Sequence, residues 1–545
     1  MLNPVNIHSK YVAVCLLKLI QSDEIDWSAV EKKTLRTLML DGSITFELNN
    51  FSSLRTLYIV GAKIDAFIES LCQLKHMRFL RLVSTDISRL PEGIGNMKFL
   101  QFIALSNCEN TVQMPGSIIK LRQLRCFDLI DTKISGIPRG FGGLTNLKSA
   151  VGFPAHIDLQ GSSPKPMEDW CSLQELGQMH QLGWLELNDL ENVSASSFAR
   201  KANLATKEHL TYMNLACTSR LLGDDGLVLK KEDGSQAEKK RIEDIFDELC
   251  PPPCLDKLSI EGYYGCRFPS WMMLPTSVES LKRLRFLFLK DLACCTQLPD
   301  GLCQIPGLDF IQIDRAPAIK YVGPTFVQAK HYHDDQHPSS KRLLTFPTLR
   351  KLHFLGMVEC EEWDWEVQAN VQAMPFLEEL RIHRCKLRCI PPGLTFHATS
   401  LTKLVVSDVE HLESLESFTS VTDLKVEANP NLVRIVGLPK LQKLSVIRCP
   451  KLKVLEGTPA LLSLKLESDN MDTLPEYLRQ VNPRRLVVDC SLDLLQSLAN
   501  SSPEWDKISH IRQFKAYAED GERQRGWYFL YNGAPNNIVD TNVLR

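Results

Sequence analysis

The sequence predicts an α/β solenoid, with a curved parallel sheet on the concave side and irregular or short helical segments returning on the convex side. Three observations point there. The pattern Leu-x-x-Leu-x-Leu recurs along nearly the whole chain. Its copies keep a fixed spacing, 23, 23 and 24 residues in one block and 20 in another. Between copies stand short Leu-Pro-x-Gly segments.

Each element follows from local chemistry. Leu35-Arg-Thr-Leu38-Met-Leu40, Leu54-Arg-Thr-Leu57-Tyr-Ile59, Met77-Arg-Phe-Leu80-Arg-Leu82, Leu100-Gln-Phe-Ile103-Ala-Leu105 and Leu124-Arg-Cys-Phe127-Asp-Leu129 form a first regular block. A second runs through Leu284, Leu377, Leu401, Val421, Leu441 and Leu461, and weaker copies stand near Leu187, Leu215, Ile260, Ile313, Phe354 and Val488. Together they make about seventeen units of leucine-rich-repeat type. Leu-x-Leu is a strand of period two, both leucines facing one core and the middle residue facing out. One unit cannot bury its apolar face alone, so the copies are expected to stack as a single leucine-rich-repeat solenoid. The return path is written as Leu90-Pro-Glu-Gly-Ile94, Met114-Pro-Gly-Ser-Ile118, Ile137-Pro-Arg-Gly-Phe141, Leu298-Pro-Asp-Gly-Leu302 and Leu474-Pro-Glu-Tyr-Leu478. Proline fixes the turn and the next apolar residue plugs the core. Three residues past the second strand leucine, Thr85, Cys108, Thr132, Cys385, Asn429 and Cys449 are expected inside, bonded to turn backbone.

The expected layout is a cap or linker over 1–34, a first repeat block over 35–149, and irregular repeats over 150–283 with a charged insertion near 217–254. A second block follows over 284–499 with a loop near 321–344, and a C-terminal cap over 500–545. After the charged insertion, Ile242-Glu-Asp-Ile245-Phe-Asp-Glu-Leu249 reads as a one-faced helix that docks on the array, stopped by Pro251-Pro-Pro253.

Composition narrows the function. The 545 residues are 44% apolar and 23% charged, which excludes disorder and coiled coil as the main architecture. With 63 basic and 65 acidic residues the formal charge is -2, so bulk electrostatics makes the chain neither a nucleic-acid nor a membrane-surface binder. A charged partner must therefore be met by a local patch. The apolar run from Tyr11 to Ile20 is broken by Lys18 and is too short to span a membrane, and it lacks the flanks of a signal peptide. Seventeen scattered cysteines fit reduced thiols in the cytoplasm better than a disulfide scaffold.

No phosphate loop, nucleophile elbow, His-Glu-x-x-His or dinucleotide-binding fingerprint occurs, so neither an enzyme nor a cofactor is expected. His331, His333 and His337 with Asp334 and Asp335 are the one cluster with metal-binding chemistry, and they read more simply as a polar loop. Cys250-x-x-x-Cys254 and Cys385-x-x-x-Cys389 have no partner pairs at zinc-site spacing.

The ordered set of Leu-Arg-Thr-Leu, Leu90-Pro-Glu-Gly-Ile-Gly, Leu187-Asn-Asp-Leu-Glu-Asn-Val193, Lys207-Glu-His-Leu210, Phe268-Pro-Ser-Trp271 and Pro503-Glu-Trp-Asp-Lys-Ile508 resembles the leucine-rich-repeat half of plant nucleotide-binding leucine-rich-repeat disease resistance proteins, particularly the coiled-coil class of grasses. The resemblance implies a recognition and regulatory module of innate immunity in the cytoplasm, with the nucleus as a second location. It would bind a pathogen effector or host protein and contact a nucleotide-binding module in trans, with no nucleic-acid partner and no membrane span. The alternative is a generic repeat scaffold, or a truncated paralogue without a ligand. The phosphate loop and Met-His-Asp motif of the full receptors do not occur in this sequence.

Residues expected on the concave protein-binding face are the outward ones beside the strand leucines: Arg81, Asp128, Phe288, Arg381, His383, Lys425, Glu427, Ser445, Lys465 and Glu467. Arg381, Val405, Lys425, Ser445, Lys465 and Val487 should form one column that suits an acidic partner. Tyr263, Tyr264 and Trp271 are further candidates as interface anchors, Trp271 reading better as a cap on the core.

Overall fold

The structure, a computed structural model, describes residues 14–18, 32–42, 48, 51–155, 170–222, 228–229, 234–273, 281–327, 343–365, 371–468, 470–499, 503–519, 526–533 and 538–543. It contains two compact units: Met1–Ser219 with Gly234–Tyr263 and Glu279–Leu281, and Arg220–Asp233 with Tyr264–Val278 and Lys282–Arg545.

In the first unit ten strands lie parallel in chain order: Val14–Lys18, Thr37–Asp41, Thr56–Val60, Phe79–Val83, Phe102–Ser106, Cys126–Asp128, Ser149–Pro154, Trp184–Asn188, Tyr212–Ala216 and Lys257–Glu261. In the second, ten more do the same: Phe286–Lys290, Phe310–Asp314, Lys351–Leu355, Glu379–Cys385, Lys403–Val409, Asp423–Glu427, Lys443–Ile447, Ser463–Glu467, Arg485–Asp489 and Gln513–Glu519. Two antiparallel strands, Gly526–Asn532 and Ile538–Thr541, then turn the sheet back on itself.

Register is set by burial. Leu38, Leu57, Leu80, Ile103 and Phe127 stand opposite one another and are wholly buried, because a slip by one residue would turn every leucine to solvent. All seventeen predicted copies are strands, and three strands stand outside that pattern. At Val14–Lys18, Cys15 and Leu17 take the register positions opposite Leu38 and Leu40. At Ser149–Pro154, Ala150 fills the first core site and the register shifts before Phe153 fills the second. At Gln513–Glu519 the pair is Phe514 and Ala516, both buried.

The turn after most strands repeats a single conformation. Two residues past the second inward side chain the backbone is left-handed, at Ser84, Asn107, Asp131, Asp189, Asp291, Arg384 and Asp408 among others, with φ between 51° and 57°. At Gly262 (φ 69°) glycine is required, since a Cβ there would lie 2.1 Å from the Cys217 carbonyl oxygen. The following residue turns inward, as the spacing predicts. Thr132 Oγ1 donates to the Leu129 carbonyl (3.0 Å), Cys108 Sγ to that of Leu82 (3.6 Å), and Asn429 Nδ2 to that of Val406 (2.9 Å).

The return path depends on repeat length. After Pro91, Pro115, Pro299 and Pro475, all extended, single 3-10 turns start at Glu92, Gly116, Asp300 and Glu476, and Ile94, Ile118, Leu302 and Leu478 plug the core. The 20-residue repeats have no room for that turn. Their returns are three-residue strands, Ser414–Glu416, Arg434–Val436 and Val454–Glu456, joined in a parallel ladder of their own.

One helix of the first unit is long, Gln236–Glu248, and it begins before the apolar stretch that predicted it. Ser235 and Glu238 form a complete capping box, while Ile242, Ile245 and Phe246 are buried. Phe246 packs on Tyr263 at 4.7 Å between ring centroids, and Arg241 donates to the Glu191 carbonyl at 3.0 Å. Among the described residues no helix is long and apolar enough to cross a membrane.

Candidate protein-recognition face

The outward side chains of parallel strands in unbroken register form columns about 4.8 Å apart, fixed by the backbone ladder. In the second unit the column predicted from sequence is present: Arg381, Val405, Lys425, Ser445, Lys465 and Val487 are successive register partners. Beside it runs His383, Ser407, Glu427, Ile447, Glu467 and Asp489.

The two columns neutralise each other. Lys425 Nζ lies 2.7 Å from Glu427, and Lys465 Nζ lies 2.6 Å from Glu467 and 3.3 Å from Asp489. Arg381 pairs with Glu379, whose carboxylate also faces Lys403 at 3.6 Å and His353 at 3.7 Å. Glu427 takes a second partner in Arg448 at 3.0 Å. These bonds hold the Glu427 carboxyl below, and the Lys465 ammonium above, their ordinary ranges. The face is therefore a lattice of alternating charge. Sequence order hides this, because the acid that answers each lysine is two residues away on the same strand or on the next strand.

The remaining candidates are more dispersed. His383 Nδ1 is 3.0 Å from Ser407 Oγ, and Phe288 meets Phe310 edge-on at 5.2 Å. His353, edge-on to Phe310 at 4.9 Å between ring centroids, has its pKa lowered to about 4, chiefly by burial and then by the Arg381 charge. Arg81 and Asp128 belong to the first unit. Arg81 lies 5.4 Å from the Tyr58 ring centroid, and Asp128 accepts from Ser106 Oγ (3.3 Å) and the Ile130 amide (2.9 Å).

Tyr263, Tyr264 and Trp271 are not interface anchors. They are 0%, 1% and 6% exposed, and Trp271 lies in the core as the cap reading expects. A surface aromatic that the repeat pattern passes over is Trp184, stacked on Tyr212 at 3.8 Å with its indole N–H donating to Glu186 at 3.0 Å. Its signal was an aromatic at the first outward position of two successive strands.

The His331, His333, His337, Asp334 and Asp335 cluster lies outside the described residues. Within them, no group of three His, Cys, Asp or Glu side chains is placed to hold a metal ion, and the cysteines from Cys72 to Cys490 are not bridged by disulfides. Burial pushes the Cys385 thiol up to about 12.

Residues 33–384 match the family model described as a leucine-rich repeat region. The chain is 32% identical over 365 residues to the putative disease resistance protein At3g14460 of Arabidopsis thaliana, covering 66% of this chain and 23% of that protein. It is 28% identical to the putative disease resistance RPP13-like protein 1 of the same plant (56% and 29%), and 26% identical to the putative disease resistance protein RGA1 of Solanum bulbocastanum (52% and 24%). The chain thus spans less than a third of each of these relatives.

Proposed function

Starting from the fact that the chain belongs to the leucine-rich-repeat family, we propose that it is a protein-recognition and regulatory module of plant defence. It acts in the cytoplasm or nucleus, senses a pathogen-derived or host protein and contacts a nucleotide-binding module in trans. The observation that carries this reading is the second unit's sheet face. Its polar side chains are held at fixed spacing on a rigid ladder, and an ordered array of charges discriminates between partners by complementarity rather than by depth of pocket. The disease-resistance names of the relatives support the defence setting.

The scaffold alternative draws on one observation of its own. Lys425 and Lys465 already have carboxylate partners, so the face is electrostatically satisfied without a ligand. The deciding experiment is co-immunoprecipitation from plant cells of the tagged chain with the nucleotide-binding module of a similar resistance protein, repeated with Lys425→Glu and Lys465→Glu. Binding lost on charge reversal supports the regulatory module, and no binding by a folded sample supports the scaffold.

A further inference from the structure

The residue just before the first outward strand position forms a column of its own at the N-terminal edge of each sheet. In the first unit the amides of Arg55, Arg78, Gln101, Arg125 and Lys148 each donate to the carbonyl of the preceding member, starting from Arg36, at 2.7 to 2.8 Å. Six successive turns therefore present Arg36, Arg55, Arg78, Gln101, Arg125 and Lys148 in one row, about 24 Å from end to end. Arg55, Arg78, Arg125 and Lys148 are exposed, and none of the four makes an ion pair with the described residues.

The second unit provides an internal control. There the equivalent column reads Arg285, Asp309, Arg350 and Glu378, joined by the same ladder, and Arg350 faces Asp309 at 3.5 Å and Glu378 at 3.9 Å. Like charges opposite one another on neighbouring strands are destabilising, and the second unit alternates them away. The first unit keeps Arg55, Arg78, Arg125 and Lys148 in one row, with no carboxylate of the described residues paired to them.

The opposite edge of the same sheet decides what kind of anion suits that row. Asp41, Asp128, Asp131, Asp189 and Glu261 stand at or just past the strand ends, about 10 to 20 Å along the strands from the edge column. From Phe102 to Ala216 no Lys or Arg occupies an outward strand position. A nucleic acid, uniformly negative, would gain at one edge and be repelled at the other. A protein can match both.

We propose that the cationic row of the first unit docks an acidic ridge of a partner protein, one whose neighbouring surface is basic where it meets the aspartate edge. A helix laid across the strands fits, since acidic side chains one turn apart repeat every 5.4 Å or so, close to the spacing of the row. The inference rests on the recognition reading above and adds the partner's chemistry and orientation.

The test uses the purified full chain and three fluorescent probes: a glutamate-rich helical peptide, a designed helical hairpin with one glutamate-rich and one lysine-rich helix, and a single-stranded DNA of about 20 nucleotides. The hairpin is expected to bind tightest, weakening with salt, and Arg55→Glu with Arg78→Glu and Arg125→Glu should lower its affinity about tenfold or more, while reversing two exposed lysines of the second unit that belong to neither face, Lys440→Glu with Lys451→Glu, leaves it unchanged. Arg78→Gln alone, which leaves the charge unreversed, guards against misfolding of the triple variant and should lower affinity about threefold. Tightest binding to the DNA, no binding to either peptide probe, or peptide binding that ignores the arginine variants overturns the proposal. The co-immunoprecipitation can fail while this result stands, since the probes do not depend on which partner is physiological.

Discussion

The side-chain amide of Asn429 spans a turn of backbone: its Nδ2 donates to the Val406 carbonyl and its Oδ1 accepts from the Val409 amide, both at 2.9 Å. Asn429 is wholly buried. Changing it to alanine leaves both backbone groups unpaired in the core, and the expected loss is about 2 to 4 kcal/mol in urea unfolding of the second unit. Ser445→Ala, on the open face a strand away, should change it by less than about 0.5 kcal/mol.

Lys207 is 1% exposed, and its Nζ donates to the carbonyls of Leu176 (2.6 Å) and Met179 (3.1 Å), with no carboxylate among its bonded partners. Burial lowers its pKa from 10.5 to about 8. Between those values the unfolded chain holds a proton that the folded one has released, so this residue's contribution to stability rises with pH from about 8 to about 10.5. Unfolding midpoints measured across that window should show the rise in the native protein and lose it in Lys207→Met.

Thiol reactivity should follow position in the repeat. Cys266 and Cys389 are exposed, whereas Cys171, Cys295 and Cys385 are buried. Burial raises the Cys171 and Cys385 thiols well above their ordinary range. Iodoacetamide labelling of the native protein at pH 8, followed by peptide mass spectrometry, should modify Cys266 and Cys389 about a hundredfold faster than Cys385.

Gly262→Ala should destabilise the first unit by at least about 2 kcal/mol, because the new methyl meets the Cys217 carbonyl in a left-handed backbone. The same change at Gly61, also left-handed but with open space at its Cβ position, should cost about 1 kcal/mol. Thermal unfolding of the two variants side by side checks the difference.

Much of the architecture was legible because leucine spacing reports burial directly. A strand escaped the pattern where a small residue or cysteine took the leucine position, as at Ala150, Ala516 and Cys15. The face was legible as columns, since Arg381 to Val487 follow from register alone. The pairing of Lys465 with Asp489 was not, because it depends on how far a side chain leans toward the next strand. The row from Arg36 to Lys148 lay in plain view in the Leu-Arg pairs, yet it sits outside the outward strand positions to which binding is usually assigned.

The parallel register of Thr37–Asp41 through Cys126–Asp128 has a genealogical consequence. Because each turn of chain meets its neighbours through the same inward residues, removing or duplicating one whole repeat would rejoin compatible edges. Such a change would alter the length of a charge column without altering its pitch. Unequal exchange between repeats could thus lengthen or shorten the cationic row in steps of one residue, giving a lineage a graded way to tune attraction to a partner while every other turn keeps its packing.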